Sequence, residues 1–472
     1  MLWLLSGCKN LRISFLVGWF FGFGFFIFGL HWMAYPMLVD PAKNAWLIPF
    51  SIFIFPAFLS IFIGFVSIVS VFLSKNSVQL ALVFPVIWVF FEWLRGNILT
   101  GFPWNLIGYS FSSFLTISQI ASIIGVYGLS LLAVFLGSSF SLVGSKKKQN
   151  LILPLLGVLI ILILHFLGSN KLDNSINQFQ NIKLRLVQPN IAQNEKWIES
   201  LKYKNFMKHY SLSKYEGFND VDLFIWPETA LTFTSKNKII NKDAIDDLLG
   251  EDAMLITGMP RAIFFQNDSE KIKLYNSIVV LNNKLKILDT YNKFHLVPFG
   301  EYLPLRKIFD YFGFSKIVFG PIDYSRGIGP KTIKLNDLPS FSPLICFEAI
   351  FPGEVTHSKN RPKWLLSLSN DAWFGNFAGP RQHFEMARLR TIEEGLPLVR
   401  VSNTGISAVV DSYGRVLKSL PYGKFGVIDY FLPGNLQRTI YSRLGDILVF
   451  TLGILIISSV FLFQAIKKIF NN

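Results

Sequence analysis

Cysteine and charge are both scarce in this chain. Only Cys8 and Cys346 occur in 472 residues, so no disulfide framework organises it. Charged residues make up 16% of the sequence and hydrophobic residues 51%. An ordinary soluble domain carries roughly 25% charged residues. HExxH, Cys-x-x-Cys and carboxylate clusters with ligand spacing are missing, which argues against a metal centre, and no cofactor is expected. The net charge of +15 comes without any nucleic-acid-binding motif, so nucleic acid is set aside as a partner.

What is present is apolar sequence in long runs. Five precede residue 169, at about 13–35, 46–74, 78–95, 118–144 and 151–168, and one follows at about 446–466. Each is near or above the roughly 17–20 residues that cross about 30 Å of hydrocarbon. Residues 1–168 are expected to form a helical transmembrane bundle. Residues 169–445, with ordinary charge density, are expected to form a domain of their own, and 446–472 a last span and tail. Residues 1–7 are apolar but too short to cross, and read as the tail of a span whose start is missing.

Basic residues set the sidedness. Lys9 and Arg12, Lys75, Lys146 to Lys148, and Lys467 with Lys468 flank these runs without acidic companions. Placing all of them in the cytoplasm gives six crossings and leaves 169–445 outside. Trp32, Tyr35, Trp46 and Trp104 then fall near the external ends, as interfacial aromatics do. Glu92 and Arg95 share a helix face and read as an ion pair at the membrane edge. The loop 99–104, rich in rigid residues, lies outside, placed to line a lipid entrance.

The charged block mixes strands and helices. Strand patterns run at 182–187, 222–226, 254–258, 275–282, 285–291, 343–346, 364–369, 397–402, 406–411 and 425–431. Helical patterns fit 195–216, 241–249 and 380–394. This implies an α/β layered domain. Four strands end in chemistry-bearing residues: Trp226-Pro227-Glu228, Ile345-Cys346-Phe347-Glu348, Ser369-Asn370-Asp371 and Val401-Ser402-Asn403. Sites gather at strand ends in such sheets.

Cys346 is either a buried structural thiol or a nucleophile. A nucleophile needs a proton acceptor or a positive field to become thiolate, and acyl transfer needs donors for an oxyanion. Glu228 offers the carboxylate and Lys293 the cation. His295, His209, His357 and His383 read as surface or capping residues rather than as the base.

Pro227-Glu228, Tyr291-Asn292-Lys293 with Pro298-Phe299-Gly300-Glu301, and Ile345-Cys346-Phe347-Glu348 resemble the Glu-Lys-Cys signature of the nitrilase superfamily. With Ser369-Asn370-Asp371-Ala372-Trp373-Phe374-Gly375, Gln382-His383 and the flanking spans, nearly the whole chain resembles the apolipoprotein N-acyltransferase family. The resemblance implies a polytopic helical bundle carrying a nitrilase-like α-β-β-α sandwich on the periplasmic face of a bacterial inner membrane. It implies that Cys346 is the nucleophile, Glu228 the general base and Lys293 the oxyanion stabiliser. Glu301 and Glu348 would be supporting acids, and Trp197 would lie near the site. Asn370 and Phe347 would support the pocket, Phe347 standing where the family often has tyrosine. The implied reaction is ping-pong: an acyl chain passes from a membrane phospholipid to the thiol. It then passes to the α-amino group of a lipoprotein's diacylglyceryl-cysteine, the last step of lipoprotein maturation.

Two other readings stay open on sequence grounds. One is a membrane-anchored nitrilase-type amidase with water as acceptor. The other is a transporter or receptor, although the spans hold almost no charge for a solute path. The aromatic and basic segment 305–319 is read as a membrane-facing arm or an ordinary packed helix, and the protein as a monomer.

Overall fold

The computed structural model describes residues 1–144, 147–175, 178–232, 242–265, 268–311, 316, 322–335 and 338–470. Among them, six helices are long and apolar enough to cross a membrane: Leu11–Leu38, Pro41–Leu73, Ser77–Asn97, Ala121–Phe140, Lys148–Leu172 and Ile447–Ile466. The chain is a multi-pass membrane protein. A helix satisfies its backbone groups internally, which lipid requires. Its ends still need partners: Asn10 Oδ1 accepts from Arg12 N and Ile13 N, and Asn76 Oδ1 accepts from Gln79 N. Leu155, Leu159, Leu162 and Phe166 stand exposed along the fifth helix, a face suited to lipid rather than water. The first two spans pack through small residues. A Cβ on Gly18 would meet Ser67 Oγ at 2.1 Å and Ile63 O at 2.6 Å, so only glycine lets these backbones approach so closely.

Among the described residues, twelve strands build the other part: β1 Gln178–Gln188, β2 Leu223–Ile225, β3 Met254–Phe265, β4 Asp268–Leu281, β5 Ile287–Asn292, β6 Ile333–Leu335, β7 Leu338–Ile345, β8 Trp364–Ser369, β9 Leu398–Ser402, β10 Ser407–Val410, β11 Val416–Leu420 and β12 Gly426–Pro433. They form two six-stranded sheets, ordered β12-β1-β2-β3-β4-β5 and β11-β10-β9-β8-β7-β6. In each, the central strands run parallel and the flanking pairs antiparallel. Leu184, Leu186, Ile225 and Ile256 of one sheet pack against Ile345, Leu366, Leu368 and Val399 of the other. Helices Lys202–Ser213 and Lys242–Leu249 cover the first sheet, sharing a core with Phe224 and Leu255. Helix Ala378–Glu394 covers the second, with Phe384 and Ala387 on Leu365 and Leu398. The result is an α-β-β-α sandwich, as expected.

Local differences have local causes. The helix expected at 195–216 begins only at Lys202. Residues 190–197 are an irregular loop instead, entered through Asn190 at φ +53°. Strands β6 and β11 went unrecognised. β6 spans three residues, too few to show alternation, and β11 lies at a sheet edge, half exposed on both faces.

The two halves are joined by side chains whose roles differ from expectation. Trp32 and Trp104 are buried, not interfacial. Both indole N–H groups donate to Gln382 Oε1, at 3.0 and 2.8 Å, and Gln382 Nε2 donates to Gly29 O. Glu92 and Arg95 do not close on each other as an edge pair. Arg95 donates to Phe102 O and Trp104 O, both at 2.7 Å, while Glu92 accepts from Ile107 N. The pair thus anchors the loop after its helix, and of the supposed lipid entrance Leu99 is the large apolar side chain left well exposed. Gly125 breaks the fourth span with φ +63°, and a Cβ there would strike the Tyr441 ring at 2.2 Å. The N–H of Val126, next to this break, donates to Glu393 of the sandwich.

Candidate active site

Cys346 follows β7 directly and opens a short 3-10 helix, Cys346–Ile350. Its φ is +51°, a left-handed conformation that non-glycine residues rarely hold and that costs energy. The turn is fixed from below by Glu348. That carboxylate accepts from Ile345 N at 2.7 Å, Phe294 N at 2.8 Å, His295 N at 3.3 Å and Tyr291 Oη at 2.7 Å. Burial lifts the Glu348 carboxyl above the usual range, while these donors and Lys293 work against that lift.

Glu228 lies just beyond β2, in a turn whose next residue, Thr229, has φ +46°. Gly258 on β3 makes room for it. A Cβ at 258 would lie 2.4 Å from Thr229 N and 2.7 Å from Glu228 Cα. Lys293 follows β5, its N–H donating to Asn276 O. Its ammonium is buried, 3.0 Å from both Glu301 oxygens and 3.8 Å from Glu228 Oε1. Asn276 Nδ2 bridges the two acids, at 2.8 Å to Glu228 and 3.0 Å to Glu301.

The electrostatics follow from burial. The Cys346 thiol is pushed up to about 12, by burial first and Glu228 second, with Lys293 pulling it back. Little thiolate rests there at neutral pH, so attack by sulfur requires a base that takes the proton as the bond forms. Burial opposes charge on Lys293, but Glu301 and Glu228 outweigh it and hold the ammonium above its ordinary range. Lys293 is thus a fixed cation and a poor proton donor.

Behind the thiol lies a second polar network. His383 is fully buried, not a surface or capping residue. Its Nε2 donates to the Cys346 carbonyl at 2.9 Å, and its Nδ1 lies 2.9 Å from Asp371 Oδ1. Arg400 donates to Asp371 Oδ2 at 2.9 Å and Ser369 to Oδ1 at 2.6 Å. Arg400 and His383 hold Asp371 below the usual carboxylate range although burial opposes this. Cys346, Asp371 and His383 present ligand-type atoms within 4.8 Å of one another. The donor set does not fit a metal ion, because Asp371 is already neutralised by Arg400 and a cation there would face the guanidinium. His209 is buried as well, its imidazole tilted against the Trp226 ring, with centroids 5.0 Å apart.

Of the sequence-expected residues, Glu228, Lys293, Cys346, Glu301 and Glu348 meet in this one place. Phe347 packs edge-on to Phe351 at 5.2 Å and joins a cluster with bundle residues Trp32 and Trp104. Asn370 bonds sideways to Gln193 Oε1 and Asn403 Nδ2. Trp197 is half-buried on the same 190–197 loop. Sequence reasoning passed over Lys196, Asn276 and Arg400. Arg400 carried a usable signal: a charge between Val399 and Val401 in a buried strand demands a partner.

The family model for the apolipoprotein N-acyltransferase N-terminal domain matches residues 1–139, and that for carbon-nitrogen hydrolase matches 183–441. Apolipoprotein N-acyltransferase of Rhodopseudomonas palustris is 37% identical over 460 residues, covering 94% of this chain and 86% of that protein. The chain belongs to the apolipoprotein N-acyltransferase family. Another member, from Rickettsia bellii, is 37% identical over 473 residues, covering 99% of this chain and 92% of its own. Among solved structures, Saccharomyces cerevisiae Nit3, a member of branch 10 of the nitrilase superfamily, is 19% identical with a TM-score of 0.40. It covers 55% of this chain and 91% of its own. The chain thus joins an apolar N-terminal part, matched by the first of these models, to a carbon-nitrogen hydrolase domain.

Proposed function

We propose that this protein moves an acyl chain from a membrane phospholipid, through a thioester on Cys346, to the N-terminal diacylglyceryl-cysteine of apolipoproteins. Family membership supports the reaction. The single observation that carries the residue roles is the strained Cys346 turn facing one carboxylate, Glu228, beside one fixed ammonium, Lys293.

The steps follow from that arrangement. Glu228 takes the Sγ proton as sulfur attacks the ester carbonyl. Lys293 stabilises the oxyanion, a role worth roughly 2.7–4 kcal/mol when one donor is lost. The C–O bond of the ester breaks, the proton on Glu228 passes to the leaving oxygen, and lysophospholipid departs. The acceptor amine, with an ordinary pKa near 7.7–8.0, then attacks the thioester. Its surplus proton returns through Glu228 to sulfur as the C–S bond breaks. Glu301 keeps Lys293 aimed, and Glu348 holds the nucleophile's turn.

Residues 169–445 are assigned to the periplasmic side of the inner membrane, on the strength of the basic segments at Lys9 and Arg12, Lys75, and Lys147 with Lys148. A monomer is the working unit in this reading. Leu305, Ile308 and Tyr311 are strongly exposed, which supports a membrane-facing arm, while 312–315 and 317–319 lie outside the described residues. The test is mass spectrometry of the full-length protein incubated with phospholipid alone. An acyl mass on Cys346, transferred on adding a diacylglyceryl-cysteine peptide, is expected. Absence of the adduct, or its hydrolysis regardless of peptide, would defeat the proposal.

A further inference from the structure

The charge around Cys346 does not balance on the groups used so far. Glu228, Glu301 and Glu348 crowd the site, and Lys293 is already held by Glu301 at 3.0 Å with Glu228 at 3.8 Å. A second buried ammonium stands on the other side of Glu228. Lys196 Nζ donates to the Glu228 backbone carbonyl at 2.8 Å, and its side chain is 3% exposed. Among the described residues no carboxylate oxygen lies within 4.0 Å of it. A buried, unpaired charge is costly, and an amide would make the same hydrogen bond without that cost. The charge therefore has to be used.

Its position is fixed by the loop that carries it. Asn403 accepts from Ile191 N at 2.9 Å and donates to Ile191 O at 2.8 Å, while Asn370 donates to Gln193 at 2.6 Å. The groups whose charge acts on the ammonium are Glu228, from the turn after β2, and Cys346, from the turn after β7. His209 of helix Lys202–Ser213 also feels it, along with Lys208, and burial keeps that imidazole neutral, its pKa pushed down to about 3.

We propose that Lys196 is the second cation of the site, a positioning residue that holds the Glu228 turn and offsets the negative charge that the Glu228–Cys346 pair keeps as the proton passes from sulfur to the carboxylate. This rests on the acyl-transfer reading above. The Sγ proton goes to Glu228, and Lys196 keeps its own. Burial drags the Lys196 ammonium down to about 8, with Glu228 and Cys346 pulling it back up. It is charged at neutral pH and discharged just above, so formation of the acyl-enzyme is expected to fall as pH rises past about 8.

The experiment uses the full-length protein in phospholipid-containing micelles. Single-turnover acylation of Cys346 is followed from pH 6 to 10 in wild type, Lys196→Met and Lys196→Arg. Alkylation of Cys346 by iodoacetamide, which needs no acyl donor, is followed in parallel. Lys196→Met is expected to slow both reactions at pH 7 by about tenfold or more, the equivalent of one pKa unit at sulfur, and to abolish the alkaline limb. Lys196→Arg should keep the rate within about threefold and move the limb upward. Equal rates in Lys196→Met and wild type, or the same limb in all three, would overturn the proposal. If wild type alkylates but never acylates, the acyl-transfer reading fails, and the alkylation rates still decide the role of Lys196. If Lys196→Met does not fold, an unmoved limb in Lys196→Arg overturns it and an upward shift sustains it.

Discussion

Replacing Gly258 with alanine tests how tightly the sandwich positions its carboxylate. The new Cβ would lie 2.4 Å from Thr229 N and 2.7 Å from Glu228 Cα, where ordinary contact begins near 3.4 Å. Both neighbours are backbone, so no side chain can swing aside. The two segments are also stitched together, by Gly258 N to Pro227 O at 3.2 Å and Leu231 N to Gly258 O at 3.1 Å. The turn must therefore retreat by about 1 Å, and a misplacement of that size costs roughly 100-fold in rate. The accompanying strain is that of overpacking, about 1–3 kcal/mol. Gly137, whose Cβ would meet nothing within 4 Å, serves as control. Gly137→Ala should leave activity intact. Single-turnover acylation of Cys346 by mass spectrometry, with a thermal melt in the same detergent, measures both effects. If Gly258→Ala acylates within threefold of wild type, the fixed-turn argument is wrong.

Other expectations follow from the same geometry. Cys346→Ala should give no acyl adduct, and Cys346→Ser only a trace, by intact-mass analysis. Glu228→Gln should slow acylation by about 10²–10⁴-fold, the span of a general base. Its residual rate should climb with pH, because burial alone still holds the thiol above its ordinary range and it then ionises only as hydroxide rises; a flat residual profile from pH 7 to 10 would count against Glu228 as the proton acceptor. Tyr291→Phe removes one of four donors to Glu348 and should lower stability by about 1–2 kcal/mol, read as a lower Tm. Gln382→Leu strips two buried indoles of their acceptor and should cost about 2–5 kcal/mol. Gln382→Glu, which keeps the acceptor, should melt closer to wild type.

The spans and sandwich layers were legible because long apolar runs and strand alternation are local signals. Glu228 and Cys346 could be picked out for a related reason, since each follows directly after an apolar strand; Lys293 follows a polar, half-exposed strand and stood out only by its place in the aromatic-rich segment 291–301. Lys196 was not legible. Its burial depends on a loop closed by Asn403, 212 residues from Ile191, and locally it reads as one more lysine in a polar stretch. His383 misled for the opposite reason. Its helix shows no one-sided apolar stripe, because the other face packs on the bundle instead of meeting water. Trp32 and Trp104 failed likewise, since a tryptophan at a span end looks the same whether lipid headgroups or a second domain receives it. The segment at 305–319 stays largely with the sequence, as 312–315 and 317–319 lie outside the described residues.

Phe347, Ile350 and Phe351, close after the thiol, share one cluster with Phe26, Leu30 and Trp32 of the first span and Trp104 of the loop after the third. The catalytic half is therefore not a cassette resting on an anchor. Excised as a soluble fragment, it would carry a raw aromatic wound beside its nucleophile and an orphaned glutamine at its centre. The nucleophile's turn and the membrane bundle therefore share one packed seam.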